Sequence, residues 1–235
     1  MKGEVIYGVR PVIEALAGGR RQVHEVLDAA GSKEIFSQAA ARGVRVRSVP
    51  RGKVEELASG AAHQGVVARV GPYPYSGLAE ILARPESLVL VLDGVTDPRN
   101  LGAILRVADG TGASGVVIPK DRSVGVTAAA VKASAGASEH VRVARETNLR
   151  RAVDAMKDAG LWVYAAGSEG ATPYAKLDLA GPIAFVLGSE GRGIRRLVRE
   201  GCDGSVTVPM RGAVESLNVS VAAAVLAFET RRQRG

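Results

Sequence analysis

"LVLVLDGVTDPRNLGAILRVADGTGASGVVIP", residues 88–119, decides how the chain is read. Leu88–Asp93 is a nearly unbroken apolar run of strand length, the pattern of a strand covered on both faces in a parallel sheet. Asp97 followed by Pro98 makes an N-cap and first-turn pair, so a helix is predicted to start there. Leu101, Ile104, Leu105 and Ala108 then recur at helical spacing and predict one buried stripe. Residues 110–115, "GTGASG", spell the G-x-G-x-x-G of a dinucleotide loop. That loop has to leave a strand and open a helix, so that backbone N–H groups and the helix N-terminus meet a pyrophosphate. Here the order is reversed, helix first and strand "GVVIP" after, so these glycines stop the helix and turn the chain.

The same grammar extends outward. Apolar strands are predicted at 115–119, 161–166, 183–188 and 205–209, alternating with helices, as in a mainly parallel α/β domain. Upstream, residues 1–70 read as a smaller αβαβαβ unit: helices in "YGVRPVIEALAGG", "KEIFSQAAARG" and "KVEELAS", strands in "VHEVLDAA", "VRVRSV" and "QGVVARV". "GPYPYSG" follows, a linker by composition. The expected organisation is residues 1–70, a linker at 71–84, and a larger domain over 85–235.

Of the 235 residues 46% are hydrophobic and 23% charged, which fits a soluble globular protein. The net charge is +7, and residues 1–70 hold 11 Lys+Arg against 7 Asp+Glu. That excess suits a polyanion such as nucleic acid, or simply a solvated basic surface. A lone cysteine, Cys202, offers no disulfide framework, and His24, His63 and His140 lack ligand spacing, so no metal site is expected. The N-terminus has no apolar signal core, and the run "VSVAAAVLAF" is too short to cross a bilayer. A cytoplasmic protein is the expectation.

In parallel sheets ligands gather at the carboxyl ends of strands. Three stretches lie there. In the first, Arg99 and Arg106 stand two turns apart with Gly102 and Ala103 between them, a groove or an exposed pair beside a helix contact. In the second, "FVLGSEGRGIRRLVRE" (185–200), a strand breaks at Gly188, a glycine turn carries Glu190, and a basic helix is predicted from about Gly193. An earlier "GSEG" at 167–170 reads as an ordinary loop. In the third, "VPMRGAVESLNVSVAAAVLAFE" (208–229), a helix from about Ser216 is apolar on almost every side, so it should be buried on several faces. Ser216, Asn218 and Ser220 crowd its first turn and need partners, since an unpaired buried polar group costs roughly 1–3 kcal/mol.

"LDGVTDPRNLGAILRVADGTG", "LGSEGRGI" and "VPMRGAVESLNVSVAAAVLAFE" together resemble, in order and spacing, the three motifs of the SpoU (TrmH-type) RNA ribose methyltransferases. "YGVRPVIEAL" and "AAHQGVVARV" resemble the N-terminal substrate-binding domain of the family's bacterial 23S rRNA guanosine enzymes. The likeness covers essentially the whole chain.

The resemblance implies a SPOUT catalytic domain, an α/β fold with a mainly parallel sheet tied in a trefoil knot, and an N-terminal α/β domain like ribosomal protein L30 that binds RNA. It implies S-adenosylmethionine as cofactor, held by Gly188, Val208 and Leu217 with Met210 and Ser216 nearby. The implied reaction moves a methyl group to a ribose 2′-hydroxyl, with guanosine in 23S rRNA as substrate. Arg106 matches the central catalytic arginine. It is either the base or, because a guanidinium keeps its proton above pH ~12, a stabiliser of the developing alkoxide or an anchor for the adjacent phosphate. Asn100, Glu190 and Asn218 match positions that orient this arginine and the substrate. A homodimer with the site completed across its interface is implied too. The alternatives are the same chemistry on tRNA, and a catalytically silent RNA-binding ribosome-assembly factor.

Overall fold

The computed structural model describes residues 3–167 and 171–235. Most of the earlier "GSEG" copy, at 168–170, lies outside the described residues.

The first sheet comprises β1 (Glu4–Tyr7), β2 (Val23–Asp28), β3 (Arg45–Ser48) and β4 (Val66–Val70), in the order β1-β4-β2-β3. Strand β4 runs antiparallel to β1 and β2, while β2 and β3 are parallel. Helices α1 (Val9–Gly18), α2 (Lys33–Ala41) and α3 (Arg51–Ala58) complete this part. The sequence reading missed β1 and started a helix at Tyr7. Four residues carry too little periodicity of their own, and pairing with β4 makes them a strand; Gly8, at φ 101°, then turns the chain into α1.

The stretch between the sheets is packed. Tyr73 is buried, donating its hydroxyl to the Ser138 carbonyl at 2.8 Å, and the Ser76 N–H donates to Val143 at 2.9 Å. Helix α4 (Leu78–Leu82) follows.

The second part contains β5 (Leu88–Asp93), α5 (Pro98–Gly110), β6 (Gly115–Pro119), α6 (Ala128–Ala133), β7 (Val143–Glu146), α7 (Leu149–Asp158), β8 (Trp162–Ala166), β9 (Thr172–Pro173), β10 (Ile183–Gly188), α8 (Arg196–Arg199), β11 (Gly204–Thr207) and α9 (Val219–Arg234). Its seven strands are ordered β7-β6-β5-β10-β8-β11-β9, with every pair parallel. Every residue of β5 is buried, as its apolar run predicts. Leu88, Leu90 and Leu92 join the core cluster that holds the buried faces of α5 and α9; Val89 and Val91 face the opposite cluster with α7. From β5 the chain winds one way through β6 and β7, then returns to the other side through β8. The strand order therefore reverses between β5 and β10, and a crevice is expected beyond their carboxyl ends.

"GTGASG" is the helix-to-strand turn the order of elements predicts. Thr111 caps α5, its hydroxyl donating to the Val107 carbonyl at 2.8 Å, and β6 opens at Gly115. Three boundaries differ from expectation. The basic helix after Gly193 is only Arg196–Arg199, because residues 189–195 are used in a tight loop. The last helix starts at Val219, since Ser216 and Leu217 stay in the preceding loop and Asn218 caps it. Val208 lies outside β11, which ends at Thr207. Helix α9 is also less buried than expected: Val221 and Phe228 are 46% and 52% exposed in the single chain. Among the described residues no helix is long and apolar enough to cross a membrane.

Candidate active site

Strand β10 ends at Gly188 beside Asp93, the last residue of β5. The chain doubles back at once, the Gly193 N–H donating to the Ser189 carbonyl at 2.9 Å. A side chain on Gly188 would overlap the backbone of Gly193 and Ile194, so only glycine permits this fold-back. Asp93 clamps the loop. Its side chain is 1% exposed, and it accepts from the backbone N–H of Arg195 at 2.8 Å and from Arg195 Nε at 2.7 Å. A carboxylate without water needs charged or N–H donors, and this one has both.

The loop so held presents Glu190 to the starts of α5 and α9. Helix α5 begins as predicted: Asp97 Oδ1 accepts from the Arg99 N–H at 2.7 Å, and Pro98 occupies the first turn. Its Gly102 lets α6 approach, since a Cβ there would meet the Ala130 carbonyl at 2.6 Å. Asn218 caps α9 through Oδ1, which accepts from the Ser220 N–H at 2.9 Å and the Ser220 hydroxyl at 2.6 Å. That cap fixes the amide's orientation, because Oδ1 is committed to donors and Nδ2 must point the other way. Asn218 Nδ2 donates to Glu190 Oε1 at 2.8 Å and to Asn100 Oδ1 at 3.1 Å. Asn100 Nδ2 closes the triangle on Glu190 Oε1 at 3.1 Å. Three of the four candidate catalytic residues, from three segments far apart in the chain, are thus in direct contact.

Beside this triangle lies a cavity of about 540 Å³, within the range of small-molecule sites. Gly188, Val208, Ser216 and Leu217 line it, as does Glu190; Met210 is not among the lining residues and is 37% exposed. Sequence reasoning missed Arg199 and Glu215, which also line it, because nothing in their local pattern marks them. Asp93 and Arg195 were missed as well, although an acid closing a buried strand is a signal that asks for a partner. Arg106 stands apart from the triangle. It is exposed on α5 and makes no hydrogen bond or ion pair among the described residues. It shares a helix face with the partly exposed Ala103 and Val107 and the exposed Gly110, against which Phe228 of α9 packs.

Two of the three histidines have local partners. His63 Nδ1 accepts from the Gly65 N–H at 2.9 Å and its Nε2 lies 2.7 Å from Glu55, while His140 lies 2.8 Å from Glu14.

Residues 87–228 match the model of the SpoU rRNA methylase family, and residues 5–76 match that of the RNA 2′-O ribose methyltransferase substrate-binding domain. The chain belongs to the SpoU rRNA methylase family. It is an RNA methyltransferase of the TrmH/SpoU kind. A Staphylococcus aureus protein named for the TrmH family of tRNA/rRNA methyltransferases is 43% identical over 244 residues, covering 100% of this chain and 98% of its own. The AdoMet-bound rRNA methyltransferase of Sinorhizobium meliloti superposes with a TM-score of 0.84 at 26% identity, covering 98% of this chain and 87% of its own. By contrast, the TrmH/SpoU tRNA-modifying enzyme of A. aeolicus has a TM-score of 0.58 at 26% identity and covers 67% of this chain and 80% of its own.

Proposed function

We propose that this SpoU methylase transfers a methyl group from S-adenosylmethionine to a ribose 2′-hydroxyl, that of a guanosine in 23S rRNA. The observation that carries the reading is the Asn100–Glu190–Asn218 triangle at the edge of a cavity floored by Gly188. Gly188, Gly191 and Gly193 of the fold-back line the cavity without side chains, which suits an adenosine packed against backbone. Gly188, Val208, Ser216 and Leu217 would hold the cofactor, with Met210 at the rim. Bound there, the cofactor supplies an electrophilic methyl group. The protein's task is to bring a sugar oxygen into line and to stabilise its charge as the proton leaves. Arg106 takes the second part: its guanidinium, all donors and no acceptor, serves the developing alkoxide or the neighbouring phosphate, leaving the proton to water or RNA. Glu190, neutralised in part by two amide donors, orients the ribose together with Asn100 and Asn218.

Arg106 has to reach a cavity it does not line in a single chain. Val221, Val225 and Phe228 recur at helical spacing on the side of α9 that the chain leaves open, next to the α5 face that bears Arg106. A second copy over this surface buries both and puts Arg106 in the seam, which favours a homodimer with shared sites. The basic residues 1–70 serve as the RNA-binding domain. rRNA is preferred over tRNA because the rRNA methyltransferase matches the chain through that domain, whereas the tRNA-modifying enzyme covers two thirds of it. The trefoil knot and a cytoplasmic place of action belong to the same reading.

The test is transfer of labelled methyl from S-adenosylmethionine to unmethylated 23S rRNA and to tRNA, with the modified nucleotide mapped. Wild-type protein is expected to label the rRNA at a guanosine. Arg106→Ala is expected to lose at least about 100-fold in rate while still binding cofactor. Transfer to tRNA alone would move the substrate assignment, and transfer to neither RNA would end the proposal.

A further inference from the structure

The cavity holds charges that the transfer reaction does not use. Among the described residues that line it, Arg199 is the single cation, and Glu190 and Glu215 are the acids. Glu190 is committed to Asn100 and Asn218. Arg199 ends α8, after β10, while Glu215 belongs to the loop between β11 and α9. The two share the cavity wall, yet they form no ion pair with each other or with another described residue. Opposite charges that line one cavity without pairing match a ligand that carries its own pair. The adenosine half of S-adenosylmethionine is neutral and asks for backbone and apolar contacts, which Gly188, Val208 and Leu217 offer. Its amino-acid end is a zwitterion and asks for a cation and an anion.

We propose that Arg199 and Glu215 form the subsite for that amino-acid end, the guanidinium taking the carboxylate and the Glu215 carboxylate taking the ammonium. A planar guanidinium can hold a carboxylate through two parallel N–H bonds, which a lysine cannot copy. Arg199 is well placed to do so from the loop side, its guanidinium standing 3.8 Å from where a Cβ on Gly193 would be. Position 193, at φ 63°, favours glycine on backbone grounds. Both charges are exposed to water, so each contributes modestly and the subsite sets affinity rather than fold.

The inference rests on the cofactor assignment above, and its test separates the two. The full-length protein is titrated calorimetrically with S-adenosylmethionine, with its decarboxylated form, which lacks the carboxylate but keeps the ammonium, and with methylthioadenosine, which lacks both. Arg199→Ala is expected to weaken S-adenosylmethionine about tenfold and to leave the other two unchanged. Glu215→Gln is expected to weaken S-adenosylmethionine and its decarboxylated form alike, sparing methylthioadenosine. Arg199→Lys should recover part of the loss. Equal losses on all three ligands would mean a general effect on the pocket, and no loss on S-adenosylmethionine would turn Arg199 toward RNA phosphate; either result overturns the subsite. Wild-type protein that binds methylthioadenosine but not S-adenosylmethionine also overturns it. Failure to bind any of the three removes the cofactor assignment, and the subsite falls with it.

Discussion

Two buried carboxylates in this molecule are treated in opposite ways. Asp93, beside the candidate site, is 1% exposed and accepts two short bonds from Arg195, one from the main chain and one from the guanidinium. Glu139, where the N-terminal part meets the second sheet, is equally buried but has no hydrogen bond to its carboxylate oxygens. Its nearest cation, Arg21, is also 1% exposed and comes no closer than 3.9 Å, its guanidinium lying instead over the ring of Tyr73. Burial pushes the Glu139 carboxyl up from its ordinary value, against the pull of Arg21 and Arg20. The first pair fixes the position of a loop; the second only neutralises charge in a seam. Geometry, rather than burial, separates a positioning ion pair from a tolerated one.

The largest effects are expected where the loop is held. Gly188→Ala forces a side chain into the Gly193 backbone and should cost about 3 kcal/mol of stability, with cofactor affinity falling in parallel. Arg195→Ala should cost nearly as much, about 3 kcal/mol, because it strands a carboxylate that has no water. Asp93→Asn should cost less, about 1–2 kcal/mol, since the released Arg195 is 54% exposed and its charge simply returns to solvent. Denaturant unfolding of the three variants gives the order. If Asp93→Asn proves worse than Arg195→Ala, the desolvation argument for this pair is wrong.

The same contrast explains what the sequence could reveal. Strands β5, β6 and β10 were legible to the residue, because a strand buried on both faces writes its whole length as apolar residues. The start of α5 was legible from Asp97 and Pro98, since capping is local chemistry. Strand β1 was not, because it exists by pairing with β4, some 60 positions away. At the site, Glu190 and Asn218 were found through motif resemblance, and Asn218 also through its cost as an unpaired polar group. Arg199 and Glu215 were hidden, since charged residues on short or irregular segments look like any solvated surface until the chain folds round a cavity. The seam was invisible for the same reason: nothing in "GGRRQ" tells that Arg21 is buried and Arg20 reaches the Val141 carbonyl.

Smaller effects are expected at the seam. Arg21→Met removes a cation that stands 3.9 Å from Glu139 and 3.6 Å from the half-exposed Glu4, and leaves Glu139 alone in the interior. Glu139 can answer by taking up a proton, so the cost should be about 2 kcal/mol at pH 7 and smaller at pH 5. Combining it with Glu139→Leu replaces the pair by apolar volume and should return stability to within about 1 kcal/mol of wild type. The equivalent double replacement at Asp93 and Arg195 should not recover, because there the pair holds backbone. Recovery at both places would erase the distinction between them.

The smallest effect carries a sign that can be checked. In the folded chain Glu139 binds its proton more tightly than in the unfolded chain. Its favourable contribution is therefore complete below the ordinary value of 4.5 and is lost as pH rises through the raised value. Glu229 does the reverse. Hydrogen bonds from Arg232 and Gln233 hold its carboxyl down to about 2, so its contribution is present above 4.5 and disappears as pH falls toward 2. The two windows do not overlap, which lets one titration of unfolding free energy read both. Between pH 4.5 and neutrality, Glu139→Gln should flatten a falling slope; below 4.5 it should change nothing. Added salt should weaken the Glu229 limb, whose partner Arg232 is 71% exposed, and leave the Glu139 limb intact, because counterions do not reach a buried seam. A Glu139 limb that also fades with salt would mean that water enters the seam and that the N-terminal part is not closed against the second sheet.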